Sequence, residues 1–329
     1  MNPLDENETI ENIIYDEDAQ VVIVDLLKAD FVVPGQYYYL GIPELSTFDL
    51  HPFAVARATV KDRTRVMRFI IANTATRRKA LKEDSGKPKD FKKGGNSSSA
   101  TPNGAAAVVL PPGVTGPPPG SNDGKKKEPT TWTSKLFAMA KAGTMPKSYR
   151  LDGPYGVNQV NPVAYENMCM ISGGTGVSPH NCMLQALSLG MGPVIGNIDE
   201  KRNILLLWVI PDRSLLQLFY KDFESFGLRI GKMAEKNIQI KVFITHSECN
   251  GVVKSDSKPL PKKMKFVKVI EGKRPNFEEE LSTYQKNCEE NVFSRGSYTS
   301  KHTAALYLSG PAGNLQGLAM HIHRDQQSI

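Results

Sequence analysis

The sequence predicts a small antiparallel β barrel followed by a parallel α/β domain. Three observations carry that reading. Up to residue 73 the chain is a series of short alternating or β-branched runs broken by Pro, Gly and Asp; from residue 165 onward it repeats strand, turn and helix; between about 75 and 130 lies a Lys-, Gly-, Ser- and Pro-rich stretch with neither pattern. The 329 residues are enough for two cores, so two domains are expected: 1–160, carrying the insertion, and 161–329, with the boundary near Val157 to Val163.

The barrel strands are read in order from "AQVVIVDLL", "GQYYYLGI", "HPFAVARATV" and "RVMRFIIAN". The insertion follows. It holds too few large apolar residues to offset its ordering entropy and is predicted disordered, with polyproline-like pieces at "LPPG" and "GPPPG". Beyond it, "YENMCMIS", a glycine turn and "HNCMLQALSLGM" read as strand, turn and helix. "RNILLLWVIP" and "SLLQLFYKDFESFGLRIGKMA" repeat the unit, and "IQIKVFITH" and "AALYLSG" supply further buried strands. Continuous apolar strands alternating with helices are the pattern of a parallel sheet covered on its faces.

Composition narrows the function classes. The longest apolar run, "ILLLWVIP", is far shorter than the roughly 18 to 20 residues of a membrane span. The acidic N-terminus lacks the basic-then-apolar pattern of a secretory signal, which makes the cytoplasm the expected compartment. Cys169, Cys182, Cys249 and Cys288 stand far apart, so neither a zinc site nor a disulfide framework is expected, and they read as small buried hydrophobes. The net charge is +7, but Arg77 to Glu128 holds eleven Lys or Arg against five Asp or Glu. The surplus thus sits in a low-complexity segment almost without aromatic residues, which argues against nucleic acid; the insertion reads first as a solvated, inert loop, with an anionic membrane surface or a partner as the alternative.

The stretch "MISGGTGVSPH" carries the most chemistry. Its glycines permit positive φ and close approach of a ligand to bare backbone, and Pro179 preorganises a helix whose N-terminal amides favour anions. Alone, it fits either a phosphate cradle or a plain bend. Its neighbours are "PGQYYYLGIPELSTFDLHPFAVA", "TTWTSKLF", "YRLDGPYG", "LLLWVIPDRSLLQLFY", "GKRPNFEEEL" and "LYLSGPAGNLQGLA". Together, in this order, they resemble the flavoprotein half of the NADPH oxidase and ferric reductase family, from about Ile13 to Leu318. That resemblance implies the fold of ferredoxin-NADP reductase: an FAD-binding barrel, then a Rossmann-like domain for NADPH, with NADH as the alternative.

It also implies roles for residues. His51, Pro52 and Phe53 would edge the FAD, with Phe53 on the flavin ring and His51 near the ribityl or pyrophosphate side. Gly153, Tyr155 and Gly156 would let a turn approach the FAD pyrophosphate. Gly174, Thr175, Gly176 and Ser178 would face the nicotinamide dinucleotide, and Gly310 and Pro311 would form the opposite wall. Arg274, assisted by Lys273, is the candidate for the 2′-phosphate, with Arg213 second. His180 reads as a helix-start residue rather than a catalyst.

Four positions depart from the family pattern. Ala54 stands where a hydroxyl residue approaches flavin N5, and Ala72 or Asn73 where an arginine grips the FAD phosphates, with Arg57 as the substitute. Ser309 replaces the cysteine before the final Gly-Pro at the catalytic position, and the chain ends "HIHRDQQSI" without an aromatic residue. The expected function is hydride transfer from NAD(P)H to FAD and single-electron release to haem, oxygen or ferric iron. The expected partner is a haem-containing membrane domain or another acceptor, which would put the chain at the cytosolic face of a membrane. The departures keep open a second reading, a nucleotide-binding module without catalysis that serves regulation or assembly.

Overall fold

The computed structural model describes residues 9–28, 32, 34–61, 64–73, 131–156, 165–189, 202–231, 237–245, 264–294 and 304–309. The basic insertion at 75–130, the expected boundary at 157–163, and Gly310 and Pro311 lie outside the described residues.

The first half is antiparallel. Its strands are β1 (Thr9–Asp16), β2 (Val21–Lys28), β3 (Tyr37–Gly41), β4 (His51–Lys61), β5 (Thr64–Ala72) and β6 (Arg150–Tyr155), hydrogen-bonded in the order β1-β2-β5-β4-β3-β6. They wrap one interior built from Val22, Val24, Leu26, Tyr38, Leu40, Val55, Met67 and Phe69. Helix α1 (Trp132–Lys141) joins that core through Trp132, Leu136, Phe137 and Ala140, an i, i+4, i+5, i+8 stripe that gives a helix one apolar face. Asp25 is 3% exposed on β2, and its charge is met by its cross-strand partner Arg68, whose Nε and guanidinium NH2 donate at 2.7 and 2.8 Å. That hydrogen bond, opposed by burial, raises the guanidinium above its ordinary value.

The second half is a parallel sheet of β7 (Asn167–Gly173), β8 (Asn203–Ile210), β9 (Ile238–Ile244), β10 (Val267–Glu271) and β11 (Ala304–Ser309), in the order β10-β9-β8-β7-β11. Helices α2 (Ser178–Leu189), α3 (Ser214–Ile230) and α4 (Phe277–Ser294) follow β7, β8 and β10. Alternation along each strand divides the residues between two faces. Met168, Met170, Leu206 and Trp208 share a core with the Leu184 face of α2 and with Phe219, Phe223 and Phe226 of α3. Cys169, Ile171, Leu205 and Leu207 pack with Phe277, Leu281 and Tyr284 of α4. Each such fully buried side chain contributes roughly 1.5 to 3 kcal/mol. The strands are buried on both faces, which is why "ILLLWVI" is apolar without alternation.

The halves are not separate bodies: residues on either side of the insertion belong to one compact unit. Val21 and Ile23 of β2, Ala56 of β4 and Ile70 of β5 turn away from the barrel interior and join the core formed by β7, β8, α2 and α3. Among the described residues no helix is long and apolar enough to cross a membrane.

Candidate nucleotide-binding site

The chain moves outward from β7 through β8 and β9 to β10, then returns to place β11 on the other side of β7. Such a reversal leaves a crevice outside the carboxyl ends of the two strands, where open α/β sheets bind ligands. Two sequence-predicted elements meet there. Gly173 ends β7 and the glycine turn follows, while Ser309, the last residue of β11, pairs in register with Ser172.

The turn has a fixed shape. Gly173 is extended, Gly174 has φ of 57°, and Gly174–Val177 forms one 3-10 turn that runs directly into α2. A left-handed residue is where glycine is required. Two carbonyls of the turn are already satisfied: Trp208 Nε1 donates to Gly174 O at 2.8 Å and Ser178 Oγ donates to Thr175 O at 2.8 Å. Neither the turn nor the first turn of α2 carries an acidic residue, so the partial positive charge of the helix start is uncompensated there. Thr175 and Gly176 are half-buried and open toward the crevice end, while Gly174 and Ser178 are buried. These features fit a dinucleotide pyrophosphate.

Beneath the turn, Ser172 Oγ and His180 Nδ1 share a hydrogen bond of 2.8 Å. Burial lowers the imidazole from its ordinary value to about 4, so it is neutral. The sequence signal for a helix-start residue is correct in position, but His180 is 3% exposed, which the sequence does not disclose.

Helix α2 lies against β4, the strand of the "HPFAVAR" segment. Asn181 Nδ2 donates to Ala56 O and to Asp222 Oδ2, each at 2.9 Å, and Arg57 NH1 lies 3.0 Å from Asp222 Oδ1. Gln185 Nε2 donates to Asp222 O at 2.7 Å. Asn181 and Asp222 are buried and fasten the two predicted site segments together, and neither was legible as important. Arg57, the expected substitute for an FAD-phosphate arginine, pairs through NH1 with Asp222 at this seam and stays one-third exposed. Cys182 is buried beside it, and burial pushes its thiol up to about 12, which leaves it unreactive at neutral pH.

Alternation along β4 sorts the "HPFA" residues. His51, Phe53 and Val55 fall on one side and Pro52, Ala54 and Ala56 on the other. The Phe53 ring lies 5.9 Å from Trp132 and 6.5 Å from Phe69, and the His51 ring 4.6 Å from Trp132. Phe53 is half-buried, so its ring borders these protein aromatics and keeps part of its surface open. His51 Nε2 and Trp132 Nε1 are buried with no hydrogen-bond partner among the described residues. On the opposite side, Ala54 pairs with Tyr37, which pairs with Tyr155. Tyr37 and Tyr155 stack with centroids 5.8 Å apart, and Tyr39 meets Tyr155 edge-on at 5.4 Å, so Pro52 and Ala54 border a half-open tyrosine wall. Gly153 and Gly156 are explained locally: a Cβ at Gly153 would come within 2.8 Å of Tyr38, and one at Gly156 within 3.1 Å of Tyr37.

Arg274 and Lys273 are exposed just past β10, three strands from the glycine turn. That is about 14 Å at the usual inter-strand spacing. Arg213 stands nearer, past the end of β8 beside β7, with its guanidinium bonded to Glu271. Among the described residues no group of three or more His, Cys, Asp and Glu gathers as a metal site.

Fold and topology thus define the class: an antiparallel barrel-like half joined to a Rossmann-like α/β half whose strand order reverses at the glycine turn. Family models agree. One for an FAD-binding domain matches residues 9–159 and one for the ferric reductase NAD-binding domain matches 165–311. The chain belongs to the ferric reductase family of proteins that bind FAD and a nicotinamide dinucleotide. It is 27% identical over 128 residues to the probable ferric reduction oxidase 1 of Arabidopsis thaliana, a match spanning 38% of this chain and 18% of that protein. Among solved structures it is similar to a ferredoxin NADP+ reductase from Neisseria gonorrhoeae with bound FAD and NADP (13% identity, TM-score 0.46, 93% of this chain and 86% of that one). It is also similar to the flavohem-like FAD/NAD-binding domain of nitric oxide dioxygenase from Vibrio cholerae (12%, 0.45, 92% and 98%).

Proposed function

We propose that the chain is the reductase module that oxidises NAD(P)H on bound FAD and passes electrons one at a time to a separate acceptor. When bound, the two cofactors supply hydride transfer and its division into single electrons. The protein's residues bind, orient and exclude water. The glycine turn, with two of its carbonyls bonded and no acidic residue in it or in the first turn of α2, takes the dinucleotide pyrophosphate on its amides. Ser309, which ends β11 and pairs in register with the end of β7, lines the crevice for the nicotinamide. Arg213 and Arg274 are the candidates for a 2′-phosphate, which favours NADPH over NADH. Pro52, Ala54 and the wall of Tyr37, Tyr39 and Tyr155 take the flavin side.

The observation that carries this reading is the seam. Asn181, on the helix that begins at the glycine turn, hydrogen-bonds the strand that holds His51 to Arg57, so both cofactor sites are built on one rigid joint. The acceptor is a haem, oxygen or ferric iron, held by a haem-containing membrane domain or supplied in solution. The chain is placed on the cytoplasmic side, with the basic insertion toward an anionic surface. The test is to load the protein with FAD, add NADPH and then NADH with ferricyanide, and follow both chromophores. Retained yellow colour and steady consumption support the proposal; no flavin uptake and no consumption defeat it. One observation favours a second reading, a nucleotide-binding module without catalysis: Ala54 brings no hydroxyl to the side of β4 that borders the tyrosine wall. A colourless preparation that still binds NADPH would select it.

A further inference from the structure

The glycine turn is held from beneath by two residues on opposite limbs of the same bend. Ser172 is the next-to-last residue of β7 and His180 sits in the first turn of α2, eight positions later, with Gly173–Val177 arching between them. Ser172 is 1% exposed and His180 3%, so their hydrogen bond is shielded from competing water. A third contact fixes the other flank, because Trp208 of β8 holds Gly174 O. A neutral imidazole in that position is expensive to bury unless a partner meets it, and Ser172 is that partner.

We propose that Ser172 and His180 form a positioning couple whose hydrogen bond holds the Gly173–Val177 arch in the shape that receives a dinucleotide. Neither residue touches the substrate in this scheme; both act through the arch. The inference rests on the proposed nucleotide-binding role of the turn. Its geometric half, that the couple sets the order of the arch, stands independently.

The experiment compares the full chain with His180→Phe, Ser172→Ala and the double variant. Hydrogen exchange of the amides in the 173–177 arch is measured in the protein without nucleotide, and NADPH and NADH are titrated using the fluorescence of Trp208, which contacts the arch. Loss of one shielded hydrogen bond is expected to weaken dinucleotide binding about 3- to 10-fold and to speed arch exchange by a similar factor. The double variant is expected to be no worse than the weaker single one, the signature of a coupled pair. FAD affinity and turnover at saturating nucleotide stay within about two-fold, so the loss falls on KM rather than kcat. Wild-type-like exchange and affinity in both single variants overturn the couple. Equal losses of FAD and dinucleotide affinity overturn it too, since they mark general destabilisation. If the wild-type chain binds no dinucleotide while arch exchange still rises in the variants, the couple stands and the nucleotide reading falls.

Discussion

Replacing Asp222 tests whether the two halves are joined by its carboxylate. In Asp222→Ala the buried side chain, 9% exposed, is removed from Arg57 at 3.0 Å and from the Asn181 amide at 2.9 Å. Removing one member of a fully buried pair costs about 3 to 5 kcal/mol. The Arg57 side chain is 33% exposed, so water recovers part of that loss and ~2 to 3 kcal/mol is the better figure. Asp222→Asn keeps the shape and one acceptor for Asn181 but loses the charge, and about 1 kcal/mol is expected. At roughly 2 to 4 °C per kcal/mol, Asp222→Ala lowers the midpoint by about 4 to 12 °C. Urea unfolding of both variants with and without 0.5 M NaCl is the assay, and the Ala variant is expected to narrow its gap to wild type in salt. An Ala variant within ~0.5 kcal/mol of wild type, or an Asn variant as damaged as the Ala one, would refute the reasoning.

Three further outcomes follow. The folded protein holds His180 near pH 4 while the unfolded chain titrates near 6.5, so the unfolded state binds the extra proton first. Stability is therefore full above about pH 6.5 and falls as pH drops toward 4, by ~3 kcal/mol in total, and denaturant titrations at several pH values should lose that slope in His180→Phe. Gly174→Ala forces a side chain onto φ of 57°, costing ~1 to 2 kcal/mol and weakening dinucleotide binding, which calorimetric titration reads. Ala54→Ser restores a hydroxyl on the outward side of β4, and stopped-flow reduction of bound flavin is expected to quicken up to about ten-fold; an unchanged rate would show that this position does not face the flavin.

The alternation of short strands before the insertion and of strand and helix after it was sufficient to anticipate both domains, because those periodicities are local. The glycine turn was legible as a strand-to-helix bend for the same reason: its residues are contiguous. The seam was not legible, since Asn181 meets Ala56 across 125 positions and Asp222 across 41. The sides of β4 beyond Val55 were hidden because they are set by register, and the strand carries an irregularity between Val55 and Arg57 that passes the count from one side to the other. Burial decided the rest. The same Ser-Pro-His sequence begins a helix whether or not its imidazole is sealed beneath a turn.

Strand β2 has a consequence of its own. Val21 and Ile23 belong to the core of the second half while Val22, Val24 and Leu26 belong to that of the first, so a single eight-residue ribbon is wallpapered on both sides. Swinging the halves apart would wet one of those surfaces, which opposes a clamshell motion. Nicking the backbone between residues 156 and 165 should accordingly leave two pieces that travel together on a sizing column.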